Sequence, residues 1–418
     1  MSWTQTQKYL NTIALRGLHP GLERIQALMR ILGHPEKKFK SIHVTGTNGK
    51  GSVCAMLESI LRSSGVVTGL YTSPHLLNLA ERISVEGRNI SLNEMSYWVN
   101  RIRVQAKRME PEVTYFEMLT AVAFCHFAQK KVELGIVEVG LGGKWDATNV
   151  IPSPEIGIIT NVTLEHTNFL GNTVQKIARE KAGILKTGTT CITQVSGAAL
   201  KPIIRTCRQL QIPLLRVRNR PRDKNLERLC ALKGNFQGQN IALVIRAAKM
   251  LKAQGWPIDR PSILRGLQNV SLPGRFEWKK IESKQIMIPV LMDGAHNPAA
   301  VNALMTSILK TKLKDHKCIL IFNALKDKNV QNMLKSILKH LKISKVLIPR
   351  LSTVRTTLPG SIQGLVQKWG PNIPCSSYDS VHQLWLNLQS RIQTWPGSWI
   401  LATGSFYLVG DLKREMDS

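Results

Sequence analysis

The chain is expected to fold as two α/β domains, the first built on a phosphate-binding loop. Three observations predict this. A strand-like run with Ile42 and Val44 enters the glycine-rich segment Gly46-Thr-Asn-Gly-Lys-Gly-Ser52, and Val53, Met56, Leu57, Ile60 and Leu61 follow at helical spacing. Short apolar runs then alternate with helix-length segments, the pattern of a mainly parallel sheet covered on both faces. The alternation stops near Leu272-Pro-Gly-Arg275 and starts again, so residues 1–271 and a smaller 272–418 are read as separate domains.

The elements follow in order. Residues 1–40 are expected to be helical, with a loop at Arg16–Gly21 before a helix over Leu22–Leu32. After the glycine loop, a short strand over Thr68–Thr72 ends in Ser73-Pro-His-Leu76. Helices over Leu92–Lys107 and Tyr115–Lys130 precede an apolar strand, Leu134–Val139, that runs into Gly140-Leu-Gly-Gly143. A strand over Ile156–Asn161 leads to Val162-Thr-Leu-Glu-His166, and a helix carries Arg179-Glu-Lys-Ala-Gly183. Past Pro213 the pattern is basic and irregular until a helix over Gln237–Gln254. In the second domain, strands are expected at Ile288–Met292, Cys318–Phe322, Lys345–Ile348 and Trp399–Ala402.

Composition narrows the function. A length of 418 residues can bury a sizeable core, and 43% hydrophobic content with a mean hydropathy of −0.08 is that of a soluble globular protein. No apolar run approaches a membrane span, and MSWTQTQKYL lacks a targeting core, so a cytoplasmic protein with no membrane partner is expected. The seven cysteines are odd in number, scattered and free of C-x-x-C, which argues against a disulfide framework and a zinc site. The unusual feature is charge: 57 Lys and Arg against 27 Asp and Glu, a net +30. Such a field favours anionic partners. The excess concentrates in residues 201–230, nine basic against two acidic, and in the lysine-rich 310–345. No RNA- or DNA-binding motif accompanies it, so a dedicated nucleic-acid role is not expected. A monomer is expected.

The chemistry centres on the loop. Gly46, Gly49 and Gly51 let the backbone turn tightly, so that its N–H groups face an anion. Lys50 adds a full positive charge and the following helix N-terminus a partial one. Gly51 stands between the lysine and Ser52, which departs from the usual order of lysine then hydroxyl. In parallel sheets, ligands gather at the carboxyl ends of strands. Ser52, Ser73, Glu138 and His166 all follow expected strands, and their hard donors suit Mg²⁺ at nucleotide phosphates, the histidine being also compatible with Mn²⁺. Taken singly, each also reads as a capping or structural residue, and Lys181 reads as an ordinary helix-end lysine.

Eight segments occur in an order that resembles the bacterial folylpolyglutamate synthase/dihydrofolate synthases, a branch of the Mur ligase superfamily. They are GTNGKGS, TSPHL, TYFE, EVGLGG-x-x-DATN, REKAG, LPGRFE, DGAHNP and TGSFYLVGDL. The resemblance spans Tyr9 to Leu412. It implies an N-terminal phosphate-loop ATPase domain like the Mur ligase central domain and a C-terminal Rossmann-like domain, with the active site between them. It implies ATP as co-substrate, held at Thr47–Lys50 with Asn240, Arg275 and Asp293, and two magnesium ions near Ser73, Glu138 and His166, with Ser52 close by. It implies that Lys181 is carbamylated, its negative charge helping to hold the second ion, which replaces the helix-end reading. The pterin substrate, dihydropteroate or a reduced folate, would lie near Gly21, Leu22, Thr114, Trp145 and Asp146. The incoming L-glutamate would lie near Asp293, His296 and Ser405.

Three positions depart from the family pattern. Glu165-His166 stands for the usual Asp-His, Lys144 replaces an arginine and loses its bidentate fork, and Pro20 falls in the pterin loop. Two other readings compete. Cell-wall Mur ligases carry a UDP-binding domain of about a hundred residues before the phosphate loop, whereas 45 residues precede Gly46 here. A nucleotide-switched nucleic-acid-binding protein would use the charge, and salt-sensitive RNA binding without amide formation would reveal it.

Overall fold

The computed structural model describes residues 1–17, 19–107, 109–218, 223–283, 286–395 and 397–417. Leu18 of the expected pterin loop and 219–222 of the basic stretch lie outside them. The chain divides into two compact units. One comprises Met1–His75, Leu79–Ala231 and Gly238–Ser271, the other Leu76–Asn78, Leu232–Gln237 and Leu272–Ser418.

The first unit is organised by an eight-stranded sheet. Its strands are β1 (Lys40–Thr45), β2 (Thr68–Tyr71), β3 (Ile83–Val85), β4 (Arg88–Asn89), β5 (Leu134–Glu138), β6 (Ile156–Ile159), β7 (Thr190–Thr193) and β8 (Leu214–Arg216). They lie in the order β4-β3-β2-β5-β1-β6-β7-β8. From β2 to β8 every pairing is parallel, while β3 and β4 add an antiparallel edge. The central strand β5 is buried along its whole length, as an apolar run covered on both faces requires. On one face Tyr71 and Val137 pack with the helices Trp3–Ala14, Glu23–Ile31, Leu92–Ala106 and Tyr115–Gln129; elsewhere Ile159 and Cys191 pack with Val174–Ala182 and Leu200–Gln209. Three of these helices start at capping boxes, Ser2 with Gln5, Ser91 with Glu94 and Thr114 with Glu117, which satisfy N–H groups that the first turn leaves open.

Sequence periodicity overlooked the strands at the sheet margins. The stretch past Pro213 holds β8 and a short helix, Lys224–Leu229, rather than purely irregular chain. β7 holds only Cys191 and Ile192 between two threonines, which weakens its apolar signal, and β8 is three residues long.

The second unit has a six-stranded sheet of β9 (Glu277–Ser283), β10 (Ile286–Asp293), β11 (Cys318–Phe322), β12 (Ile343–Pro349), β13 (Cys375–Tyr378) and β14 (Trp399–Thr403). Their order is β13-β12-β11-β14-β10-β9, with β9 alone antiparallel to its neighbour. Among the described residues, no helix is long and apolar enough to cross a membrane.

Candidate active site

The order β2-β5-β1-β6 at the middle of the first sheet decides which loops meet. Their carboxyl ends lead to Ser73, Glu138, the glycine loop and the 160–166 segment, so four stretches far apart in sequence share one sheet edge.

The glycine loop is fastened to the segment after β6. Thr47 N–H donates to the Asn161 carbonyl and Asn48 N–H to Asn161 Oδ1, both at 2.9 Å. The Thr160 hydroxyl donates to the Asn48 carbonyl at 2.7 Å, and Thr163 N–H donates to Thr47 Oγ1 at 3.1 Å. Two glycines are obligatory here. Gly46 has φ 148°, and a Cβ on it would fall 1.8 Å from Thr160 Oγ1. Gly49 has φ 86°, and a Cβ would fall 2.6 Å from Asn240 Oδ1, which also shows that Asn240 lies against the loop. Lys50 opens the helix Lys50–Ser63, with Gly51 and Ser52 buried in its first turn. Its Nζ donates to the carbonyls of Gly46 and Thr47 at 3.1 and 3.3 Å, so its charge is held over the loop.

Glu138 ends β5, is buried, and accepts from Ser73 N–H at 3.1 Å through Oε2. In register it faces Val44, one residue from the end of β1. His166 has a left-handed backbone, φ 49°, and its Nε2 lies 3.7 Å from Glu165 Oε1. The donor chemistry fits a hard divalent ion. Only Glu138 and His166 of the expected set are carboxylate or imidazole, and among the described residues no three His, Cys, Asp or Glu side chains are grouped to hold an ion alone. Hydroxyls, nucleotide oxygens and water would supply the remainder, as magnesium prefers.

Lys181 lies in the last turn of Val174–Ala182 and is buried. Burial, together with the nearby Lys50 charge, lowers its ammonium to about 7, against the pull of Glu165 and Asp146. The helix end that carries it meets the glycine-rich turn after β5, where Lys144 N–H donates to the Glu180 carbonyl at 2.9 Å.

The expected pterin residues fall in two separately bonded groups, one around Glu117 and one around Asp146. Gly21 and Leu22 precede the helix Glu23–Ile31, whose Arg24 donates through Nε to both Glu117 oxygens at 3.1 and 3.2 Å. Glu117 in turn accepts from Thr114 N–H and its hydroxyl, both at 2.8 Å. The Phe116 ring lies against Gly140. Beyond that turn Asp146 is buried, its carboxylate accepting from Leu141 N–H at 2.9 Å and Thr148 N–H at 3.0 Å, and burial raises its pKa. Its neighbour Trp145 is 45% exposed, with Lys144 Nζ 4.5 Å from the ring centroid. Asp146 is thus tied into its own loop, and Trp145 offers the open apolar face.

In the second unit β10 and β14 are register neighbours, Asp293 opposite Thr403. Asp293 is buried and accepts from Phe276 N–H at 2.8 Å and Ala295 N–H at 2.9 Å; burial raises its pKa while Arg275 opposes the rise. Arg275 packs on the Phe406 ring at 4.2 Å, and His296 lies beside the same ring. Since His296 Nδ1 is 2.9 Å from the Gly294 carbonyl, Nδ1 carries the proton. Ser405 is buried and its Oγ accepts from Tyr407 N–H at 3.1 Å. Asp293, His296 and Ser405 therefore collect at the carboxyl ends of two paired strands.

Sequence reasoning missed Asn161, Thr160, Arg24 and Glu117. The first two close the expected strand at 156–161 and bore no motif of their own; Glu117 stood in TYFE, where Thr114 alone drew attention.

Residues 44–244 match the Mur ligase middle domain, and residues 276–415 match the dihydrofolate synthetase C-terminal domain. A Bacillus subtilis dihydrofolate synthase/folylpolyglutamate synthase is 34% identical over 96% of each chain. Escherichia coli FolC in complex with DHPP and ADP superposes with a TM-score of 0.85 at 28% identity, covering 100% of this chain and 98% of that one. The bifunctional Yersinia pestis folylpolyglutamate synthase/dihydrofolate synthase, complexed with AMPPNP and Mn ion, gives 0.82 at 26% identity, covering 100% and 98%.

Proposed function

The chain belongs to the Mur ligase superfamily, in its dihydrofolate synthase/folylpolyglutamate synthase branch, and on that premise we propose that it carries both activities of the branch. It is an ATP-dependent ligase. In this reading it joins L-glutamate to dihydropteroate, and then to the γ-carboxylate of reduced folates, in the cytoplasm. The observation that carries the reading is the convergence of the glycine loop, Glu138 and buried Lys181 around one sheet edge.

A carboxylate is a poor acylating agent because oxide is a poor leaving group. A carboxylate oxygen therefore attacks the γ-phosphorus of ATP, the bond to the ADP oxygen breaks, and an acyl phosphate forms. The glutamate amine attacks its carbonyl carbon, inorganic phosphate leaves, and the amine gives up a proton. Lys50 and the loop N–H groups hold the β- and γ-phosphates, with Asn240 against the loop. Arg275 and Asp293 contact the nucleotide; Asp293, His296 and Ser405 receive the glutamate. Trp145 stacks the pterin, with Gly21, Leu22 and Thr114 beside it and Asp146 holding the loop. Ser73, Glu138, His166 and Ser52 would hold magnesium, which when bound neutralises charge on phosphate oxygens. A carbamate on Lys181 would add negative charge for a second ion.

The test is ADP release and amide formation from ATP, Mg²⁺ and either dihydropteroate or a reduced folate, with and without L-glutamate. Amide from both pterins is expected; amide from the folate alone reduces the assignment to a folylpolyglutamate synthase. Glu138→Ala is expected to lower turnover by roughly a hundredfold or more, with only partial recovery at high Mg²⁺. A magnesium dependence identical to the unaltered protein removes Glu138 from the ion site.

A further inference from the structure

The segment Thr72–Leu76 contributes Ser73 to the site above and leaves His75 without a role. His75 is half-buried, and its Nδ1 accepts from Arg82 Nε at 2.9 Å. A guanidinium N–H can only donate, so Nδ1 presents its lone pair and the ring proton sits on Nε2. The Arg82 guanidinium also lies 5.8 Å from the centroid of the Tyr115 ring. Its backbone carbonyl accepts from Thr72 N–H at 2.9 Å, beside Ser73. Arg82 is thereby tied on one side to the loop of Ser73, which meets Glu138, and on the other to the first turn of the helix that Thr114 caps.

The remaining N–H groups of Arg82 lack a partner among the described residues. That is exceptional for an arginine at this depth. Arg16, Arg24 and Arg62 are half-buried in the same unit, and each meets a carboxylate: Glu112, Glu117 and Glu58. A half-buried cation held by an imidazole and an aromatic face, with its bidentate edge unused, is arranged for an anion that arrives from outside. The substrate supplies one. If the pterin lies by Thr114 and the phosphates by the glycine loop and Glu138, the reacting carboxylate must pass between them, beside a polyanion that repels it.

We propose that Arg82 grips the pterin-substrate carboxylate that becomes the acyl phosphate, and that His75 is the positioning residue that holds its guanidinium. This rests on the ligase reading above. The planar fork matches a carboxylate in two parallel hydrogen bonds, which lysine cannot reproduce.

The test combines steady-state kinetics with equilibrium binding of a reduced folate in the presence of a non-hydrolysable ATP analogue. Arg82→Ala should raise both KM and Kd for the folate by roughly two orders of magnitude, leave the KM for ATP within about twofold, and recover in part with added guanidinium. Arg82→Lys should fall between the two. His75→Ala should raise the folate KM roughly tenfold, and His75→Gln, whose amide oxygen can accept from Nε, should restore most of it. Unchanged folate KM and Kd in a folded Arg82→Ala overturn the proposal; if that variant does not fold, unchanged values in Arg82→Lys do so. An equal rise in the KM for ATP and for folate also overturns it, because it marks a general distortion. If the unaltered protein forms no amide from either pterin, the ligase reading itself fails and this proposal falls with it.

Discussion

Lys50→Ala is expected to reduce ATP-dependent amide formation by at least about a thousandfold while the thermal melt stays within a few degrees of the unaltered protein. Lys50 Nζ touches two carbonyls of its own loop. The loop keeps its shape through other contacts: Asn161 holds Thr47 and Asn48, and Thr160 holds Asn48. On the proposed reading, the substitution removes the positive charge that meets the phosphates as their charge shifts during transfer. Loss should therefore appear in kcat and in nucleotide affinity together. The measurement is single-turnover ADP formation beside a melt followed by circular dichroism. Near-normal turnover in a folded variant would remove the loop from the mechanism.

What could be read from the sequence follows from where the signal is local. The glycine loop was legible because Gly46, Gly49, Lys50 and Ser52 lie within seven residues, and both φ-positive glycines have steric reasons to be glycine. The central strands were legible because β5 is apolar up to Glu138 and β11 is apolar throughout. The margins were not: β3 has three residues and β4 two, too few for periodicity to mark, and β4 is exposed as well. The site's supports were hidden for a different reason. Asn161 acts on Asn48 across 113 positions, and Arg24 acts on Glu117 across 93. No spacing rule relates such pairs until the sheet order is known. Short segments also crossed the expected boundary, since Leu76–Asn78 and Leu232–Gln237 group with the second unit.

Lys181 is the residue whose local pattern misleads most. A lysine near the end of a helix ordinarily sits in water and complements the helix dipole. Here it is 3% exposed, in the field of Lys50, with Glu165 and Asp146 near enough to pull the other way. A buried ammonium beside another cation is costly, and its lowering to about 7 expresses that cost. The neutral amine is the form that attacks CO₂: the C–N bond forms, the amine loses a proton, and the product is a carbamate anion. The sign of the pH effect follows. The neutral fraction grows as pH rises through about 7, so carbamate occupancy at limiting bicarbonate should increase between about pH 6 and 8. Isotope-labelled bicarbonate followed by carbon NMR reads that occupancy directly. Lys181→Ala is expected to lose activity by about a hundredfold or more and to regain part of it with acetate or formate, which return a carboxylate to the vacated space. Rescue by chloride at equal ionic strength, or a labelled-carbonyl signal that persists in Lys181→Ala, would show that the anion is not a carbamate on this lysine.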